Sequence, residues 1–336
     1  MLLRAASFAC GESRPAAGCN RIGGIPEIMQ NAMRIISTRE LRTRLGEFQK
    51  SCELAGLDTE ESRARLVEKV VDSEKKLRAL SMRKFAGSID PSGRDFHPLK
   101  AIVKHFEAGD HDEAVWLAFL TTHFGQEARK TIRLFYGKFG QGQWNWEAVC
   151  HDPSAVGEWM ASNPKKVKRL KFGNHRKHET NNPTSSVGTA GVIQSFSEWV
   201  KQTGHGSPYR ALRAAANGKM PKAAFDNAYH KISVTRFGRT AKFDFLCLLG
   251  NLGVLEVSPP HCYLAEGTGP KRGAVQMVTG KKKGRITAEV EKTMRRLRKH
   301  LGVPVEAMED ALCNWQKHPR SMGGVAELGY VTTTCG

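Results

Sequence analysis

The chain has 336 residues, 40% of them hydrophobic and 25% charged, which is the composition of a globular protein with a sizeable core. Its 52 Lys and Arg outnumber its 33 Asp and Glu, so the formal charge is +19 and the isoelectric point lies near 9.7. This excess makes nucleic acid the leading partner and an anionic membrane surface the second, whereas the lack of an apolar run approaching roughly 20 residues excludes a membrane-spanning helix.

The eight cysteines are scattered, at positions 10, 19, 52, 150, 247, 262, 313 and 335. No two form a Cys-x-x-Cys pair, which argues against a zinc ribbon, and the clustered pattern of an iron–sulfur centre is absent as well. Cys247 and Cys313 lie in apolar helical contexts that are typical of buried free thiols. We therefore predict a reducing compartment, the cytoplasm, and neither a metal nor another cofactor.

The N-terminal part is predicted to be a leader followed by a helical subdomain. Residues 1–28 carry a short apolar run broken by an arginine, which we interpret as a disordered leader or as a start codon assigned too early. In the subdomain, residues 29–90, one helix is expected within 27–57. A second is expected from Asp58, whose carboxylate can cap it, to about Arg83.

Short helices are expected to follow one another after the loop 85–98, because no later segment shows sustained period-2 alternation. The periodicity predicts helices over 98–108, 110–124, 126–139, 144–150, 152–161, 187–202, 206–216, 220–236 and 236–254. Asp110 and Asp152 are the expected N-caps. The chain is thus predicted to be all-α, with a main helical domain at 91–320 and a flexible tail at 321–336.

Two segments between these helices carry candidate DNA contacts. Trp144 and Trp146 lie in a Gly-rich loop, where they can stack on a base or fill the core at a helix start. The stretch 163–179 has seven Lys or Arg between 165 and 178, and cations in such a run can bind phosphates. Phosphate contacts are assigned to Arg176 and Lys177 of this stretch and to Arg239 of the helix predicted at 236–254. Three polar residues are candidates for reading the base or its substituent: Asn174, His175 and Glu179.

The helix predicted at 236–254 is apolar along one side, and Asp244 enters this side early. A carboxylate on a buried face can have a shifted pKa and a catalytic role. Alternatively, Asp244 caps the helix or pairs with Arg239.

Residues 264–278, LAEGTGPKRGAVQMV, are predicted to form the hairpin of a helix-hairpin-helix unit. The two glycines flank a turn that requires positive φ or close backbone approach, and Pro270 suits the first turn of the next helix. The unpaired N–H groups of that turn can bind a phosphate. The residues assigned to this contact are Gly267, Gly269, Lys271 and Arg272. The alternative is an ordinary Gly-Pro loop between two helices.

The C-terminal part is predicted to contain two more helices. The first, 287–301, is basic and follows Lys281, Lys282, Lys283 and Arg285. The second begins at Pro304 and carries acids in its first turns, where the helix dipole stabilises them: Glu306, Glu309 and Asp310. Trp315 lies five residues past Asp310 and is a further candidate for the base pocket.

Six blocks of the sequence together resemble the α-glutamyl/putrescinyl thymine pyrophosphorylase family, clade 3. They are HFEAGDHDEAVWLAFLTTHFG, FGQGQWNWEAV, LKFGNHRKHE, VTRFGRTAKFDFLCLLGNLG, GTGPKRGA and MEDALCNWQKH, within residues 95–318, about two thirds of the chain. Members of this family are similar to helix-hairpin-helix DNA glycosylases. They are tied to hypermodified bases of bacteriophage DNA, which they build or, in defence settings, remove.

The resemblance implies an all-α, glycosylase-like fold and a set of catalytic candidates. Lys271 falls where lyase-competent glycosylases keep a lysine. Their catalytic aspartate is expected about one helix beyond the hairpin, where this chain has Glu289. Asp310 lies one helix further, in the distinctive MEDALCNW block, and is the preferred candidate, with Glu309, Glu289 and Asp244 in reserve.

Three functions are compatible with these features. The first is a DNA glycosylase that extrudes and excises a modified base of double-stranded phage DNA, such as glucosylated hydroxymethylcytosine, and leaves abasic sites as an antiviral defence. The second is a transferase that displaces pyrophosphate from an activated thymine with an amine or amino acid. The third is a non-catalytic DNA-binding protein. The first is the prediction that we carry forward.

Overall fold

The computed structural model describes residues 36–139, 144–173, 176 and 178–317. Within these residues the chain is helical and has no β-strand, so the predicted all-α class is confirmed; a single β-bridge joins Ser88 to Phe96. The predicted leader, 1–28, and the predicted tail, 321–336, lie outside the described residues.

The helices are numbered in chain order. They are α1 (Thr38–Ser51), α2 (Glu60–Ser81), α3 (Pro98–Glu107), α4 (His111–Phe124), α5 (Ala128–Ile132), α6 (Trp146–His151), α7 (Ser154–Ser162), α8 (Pro164–Val167), α9 (Thr189–Gln202), α10 (Pro208–Ala215), α11 (Pro221–Lys231), α12 (Arg239–Asn251), α13 (Gly269–Thr279), α14 (Ala288–Leu301) and α15 (Val305–Trp315). Short 3₁₀ turns stand at Ala55–Leu57, Gly125–Glu127 and Leu264–Glu266, and a π-helix at Arg133–Phe139.

The helix starts follow capping chemistry. Asp110 accepts a hydrogen bond from the Glu113 amide, and Asp152 accepts one of 3.0 Å from the Ser154 amide, so both predicted caps are confirmed. The predicted cap of α2 is wrong. Thr59 is the N-cap instead, and its hydroxyl oxygen accepts a 3.1 Å hydrogen bond from the Ser62 amide. Asp58 is the C-cap of the preceding 3₁₀ turn.

Two predicted helices end or change differently from the prediction. The helix predicted over 220–236 stops at Lys231, because Ile232 is already extended and Arg236 turns the chain with a left-handed φ of 60°. The helix predicted over 126–139 widens into the π-helix after Ile132. There Gly137 lies so close to the Pro91 carbonyl that a β-carbon would meet its oxygen at 2.1 Å.

Helix α4 is the centre of the core. Its residues from Glu113 to Phe124 are all buried, as expected for a helix that is apolar all round. Phe119 stacks on Phe196 of α9 with ring centroids 4.0 Å apart. The indole of Trp116 donates to the carbonyl of Trp144 over 2.7 Å, which draws the chain after the π-helix into the same core.

The N-terminal and C-terminal helices pack against each other. Helix α2 lies along α15, and α13 also packs on α15. The Trp315 indole donates to the Ser62 carbonyl over 2.9 Å, and Arg44 donates to the Leu301 carbonyl over 2.8 Å. The first two of the described helices therefore share a core with the last two. Among the described helices, none combines the length and apolarity needed to cross a bilayer.

Candidate active site

A cleft of about 230 Å³ lies where α12, α15 and the start of α13 face α2 and the 3₁₀ turn Gly125–Glu127. We call it the acidic cleft. Its polar and charged lining residues are Gln126, Arg176, Arg239, Thr240, Asp244, Cys247, Asn251, Thr268, Glu306, Glu309, Asp310 and Cys313. On both α12 and α15 these residues recur every three or four positions, the spacing that puts side chains on one helix face.

Four carboxylates meet in this cleft although the chain as a whole carries a formal charge of +19. Asp244 comes from α12 and the other three acids from α15. The structure thus brings together Asp244, Glu309 and Asp310, which the sequence had offered as separate candidates. Glu306 is the fourth; the sequence indicated it only as one of the acids in the first turns of the last predicted helix.

Asp310 is held by donors from two helices. The Ser73 hydroxyl of α2 donates to its Oδ2 over 2.6 Å, and the Asn314 amide donates to its Oδ1 over 2.7 Å. The Lys76 ammonium lies 3.5 Å from Oδ2. The Asp310 side chain is 19% exposed, so it is oriented by these partners and still reachable from the cleft. Hydrogen bonds from two helices thus fix the direction of this carboxyl group.

Glu309 forms a buried ion pair with Arg239. One guanidinium nitrogen donates to the Glu309 carboxylate and another donates to the carbonyl of Cys262, while the group lies 4.8 Å from the centroid of the Phe243 ring. Burial raises the pKa of Glu309 to about 7, against the lowering effect of Arg239 and with a further increase from Asp244. Arg239, predicted to contact DNA, therefore ties α12 to α15 with a side chain that is only 7% exposed.

Asp244 pairs with Arg176 on the opposite wall. The guanidinium donates to Asp244 Oδ2 over 3.1 Å and to the carbonyl of Thr122 over 3.0 Å. Arg176, the second predicted DNA contact in the cleft, is itself buried. Three neighbouring predicted contacts, Asn174, His175 and Lys177, lie outside the described residues.

Glu306 differs from the other three acids. Within the described part of the chain, no ion pair includes its carboxylate. Burial raises its pKa, against a hydrogen bond from its own backbone amide and the more distant charge of Arg298. The same carboxylate acts on the buried Cys247 thiol. Burial raises the pKa of that thiol well above its usual value, and the charges of Glu306, Asp244 and Glu309 raise it further.

The glycine turn at 267–269 brings the start of α13 to the cleft. A β-carbon on Gly269 would lie 2.4 Å from the Cys313 sulfur, and one on Gly273 would lie 2.2 Å from the Leu312 carbonyl oxygen. Gly269 and Gly273 therefore allow the backbone of α13 to lie close to α15. The turn does not require a positive φ at Gly267, whose φ is an ordinary −82°. The small residues of α13 face α15 rather than a preceding helix. Cys313, predicted to be buried, is half-buried where it faces the cleft.

Two catalytic candidates lie outside the lining of the cleft. Lys271 is half-buried on α13, and Glu289 is exposed at the start of α14, where it accepts a hydrogen bond of 3.4 Å from Thr293. Arg272, assigned to phosphate binding, is exposed on α13.

The remaining base-pocket candidates are also outside the acidic cleft. Trp144, Trp146 and Trp315 are buried in the core, where Trp315 is bonded to Ser62 as described. Glu179 pairs with Arg236 at 3.4 Å in a neighbouring depression that shares Arg176 with the cleft.

A basic face runs along α14. Lys292, Arg295, Arg296 and Lys299 are all exposed, and their spacing of three and four residues puts them on one side of the helix. The segment before the helix adds exposed cations: Lys281, Lys282, Lys283 and Arg285. This surface has the charge that phosphate groups require.

Among the described residues, no group of three or more His, Cys, Asp or Glu side chains is arranged to hold a metal ion.

In comparisons with known proteins, the family model described as alpha-glutamyl/putrescinyl thymine pyrophosphorylase clade 3 matches residues 61–324, well over half of the chain. No curated protein and no solved structure matches the chain.

Proposed function

Because the chain belongs to the alpha-glutamyl/putrescinyl thymine pyrophosphorylase family, clade 3, we propose that it is an enzyme that acts on a modified base of DNA. The reaction that we propose is hydrolysis of the N-glycosidic bond, which releases the base and leaves an abasic site. The observation that carries this proposal is the meeting of Asp244, Glu309 and Asp310 in one cleft with two arginines and the glycine turn.

Asp310 is the proposed catalytic carboxylate. Loss of a base from deoxyribose builds positive charge on the sugar, and a fixed anion stabilises this charge as a carboxylate does in glycosidases. The donors Ser73, Lys76 and Asn314 orient the Asp310 carboxyl group. In our proposal its carboxylate faces C1′ of an extruded nucleotide and directs water there.

The charge of the cleft favours hydrolysis over displacement of pyrophosphate. A pyrophosphate would have to lie beside Asp244, Glu309 and Asp310, and two like unit charges 4 Å apart repel by roughly 4 kcal/mol near a protein surface. The cations Arg176, Arg239 and Lys76 are already bonded to Asp244, Glu309 and Asp310. A neutral, hydroxyl-rich substituent can instead donate hydrogen bonds to these acids, which supports a glucosylated base as substrate.

DNA is the proposed partner, and the basic face of α14 supports it. Cations on one exposed side of a helix can bind successive phosphates, which fixes the duplex without distinguishing its sequence. Selection of the substrate then depends on the extruded base and the acidic cleft.

The test is to incubate the protein with phage DNAs that carry different base modifications and to analyse the products by mass spectrometry. Release of a free modified base together with abasic sites supports the proposal. Release of pyrophosphate with intact sugars would assign the reaction that the family's name describes. Binding of the DNA without any product would leave a DNA-binding protein.

A further inference from the structure

Within the part of the chain that the structure describes, three of the four acids in the acidic cleft form an ion pair and the fourth forms none. Arg176 pairs with Asp244 at 3.1 Å, Arg239 with Glu309, and Lys76 with Asp310 at 3.5 Å. Of these cations, Arg239 lowers the pKa of its acid, against the larger effect of burial. Glu306 lies on the same face of α15 as Glu309 and Asp310 but has no ion-pair partner among the described residues.

An unpaired carboxylate in such a place favours its protonated form. Leaving water costs a charged group free energy unless a partner compensates, whereas a neutral carboxyl group avoids most of this cost. The N-terminal position of Glu306 in α15 opposes this by favouring the anion, but burial outweighs it, and the pKa is raised overall. The charged and titratable groups that line the same cleft are Arg176, Arg239, Asp244, Cys247, Glu309, Asp310 and Cys313, and the charge of Arg298 also acts on Glu306.

The acids of the cleft thus lie in different environments. Where neighbouring carboxyl groups have environments that separate their protonation, one can give a proton while another remains an anion. Burial also raises the pKa of Glu309, to about 7, but Glu309 is bonded to Arg239, as Asp244 is to Arg176 and Asp310 to Lys76, and a proton on any of these three would have to displace a cation.

We propose that Glu306 is the general acid of the acidic cleft, which protonates the departing base while Asp310 faces the sugar. This inference rests on the proposed function. The bond between C1′ and the base nitrogen breaks, and its electron pair leaves with the base. The carboxyl proton of Glu306 passes to a nitrogen or oxygen of that base, which departs neutral. The oxygen of water then bonds to C1′, and the proton that it releases returns to the Glu306 carboxylate, so that water is consumed and the acid is restored.

The experiment measures single-turnover release of base from a DNA duplex that carries glucosylated 5-hydroxymethylcytosine. It compares the wild type with Glu306→Gln and Glu306→Asp. Glu256→Gln is the matched control, because Glu256 is exposed and lies outside the cleft lining. We expect Glu306→Gln to slow release by roughly 10²–10⁴-fold, the usual contribution of a positioned acid, and Glu256→Gln to leave the rate unchanged.

The pH profile separates a proton donor from a structural residue. Release by the wild type should slow on the alkaline side, where Glu306 loses its proton, and this decline should be absent in Glu306→Gln and retained in Glu306→Asp. DNA affinity and melting temperature should equal those of the wild type in both variants. If Glu306→Gln does not fold, the midpoint of the alkaline decline decides the question: it should shift in Glu306→Asp relative to the wild type, and an unchanged midpoint would assign the decline to another group.

Two results would overturn the inference, and they differ. If the wild type releases base and Glu306→Gln does so within twofold at every pH, Glu306 is not the acid although the proposed function holds. If the wild type releases no base from this duplex or from the phage DNAs, the proposed function fails and the role of Glu306 fails with it.

Discussion

The hydroxyl of Ser73, in the second helix of the structure, donates a 2.6 Å hydrogen bond to Oδ2 of Asp310 in the last, across 237 residues of sequence. The Lys76 ammonium, one turn further along the same helix, approaches the same oxygen. Helix α2 therefore supplies two of the partners that orient the proposed catalytic carboxylate, and Asn314 of α15 is the third. Helix α2 is part of the site, which ties the geometry of the site to the packing of α2 on α15.

Removing the Ser73 hydroxyl should loosen Asp310. We expect Ser73→Ala to lower the free energy of unfolding by about 1–3 kcal/mol, the usual cost of removing a buried hydrogen bond to a charged group. Base release should fall by about tenfold, because Asp310 keeps Lys76 and Asn314 but loses its shortest contact. Urea unfolding and single-turnover kinetics measure the two effects. Ser81→Ala, at the exposed end of α2, is the control, and equal behaviour of the two variants would contradict the role of Ser73.

The close approach of α13 to α15 should not tolerate a β-carbon. In Gly273→Ala the new atom would lie 2.2 Å from the Leu312 carbonyl oxygen, so we expect a loss of roughly 1–3 kcal/mol or more, as for other overpacked sites. Gly46→Ala is the matched control. Gly46 lies inside α1 with nothing within 4 Å of a β-carbon, so there alanine should stabilise the protein by up to about 1 kcal/mol. Thermal or urea unfolding of both variants gives the comparison, and a loss of the same size at Gly46 would show that the contact with Leu312 is not the cause.

Glu74 should make stability depend on pH. Burial raises its pKa to about 6 from an ordinary 4.5, although the Ile36 amide donates to its carboxylate. Because the folded-state pKa is the higher one, this group's contribution to stability is fully present below pH 4.5 and is lost as the pH rises through 6. Glu74→Gln cannot ionise. Its stability relative to the wild type should therefore rise by about 2 kcal/mol between pH 4 and 7.5, as measured by urea unfolding. A difference that stays constant over this range would contradict the account.

Neutralising the basic face of α14 should weaken DNA binding in a salt-dependent way. We expect each of Lys292→Gln and Arg296→Gln to reduce the slope of log affinity against log salt concentration by about 0.9, if each side chain contacts one phosphate. The loss should be equal for different DNA sequences. Lys222→Gln, an exposed lysine on α11, should leave the slope unchanged. An equal effect of all three substitutions would mean that only net charge matters and that α14 is not the contact surface.

Helical periodicity, caps and glycines were enough to predict the all-α class and most helix positions. The exceptions have local causes. Thr59 rather than Asp58 caps α2, because Asp58 is the C-cap of the preceding 3₁₀ turn. The π-helix after Ile132 was not predicted; Gly137 within it lies against the Pro91 carbonyl, a contact with a distant segment that periodicity does not show.

The site was predictable in its parts but not in its assembly. The spacing of Asp244, Glu309 and Asp310 predicted their positions on helix faces. The two glycines and Pro270 predicted the turn before α13. Which faces meet is decided by long-range packing, so neither Ser73 nor Lys76 was expected beside Asp310. For Glu306, the signal was present in its spacing to Glu309 and Asp310. A tryptophan in a glycine-rich loop suits stacking as well as burial, and only the fold shows Trp144 and Trp146 in the core.

The central claim is that the Asp310 carboxylate promotes cleavage between a modified base and its sugar. The most direct measurement compares wild type and Asp310→Asn in single-turnover reactions with a duplex that contains glucosylated 5-hydroxymethylcytosine, with mass spectrometry of both products and a parallel measurement of DNA affinity. The account predicts free modified base and an abasic strand from the wild type. It predicts a rate lower by roughly 10²–10⁴-fold, with unchanged DNA affinity, for Asp310→Asn. Base release by Asp310→Asn at the wild-type rate would contradict it.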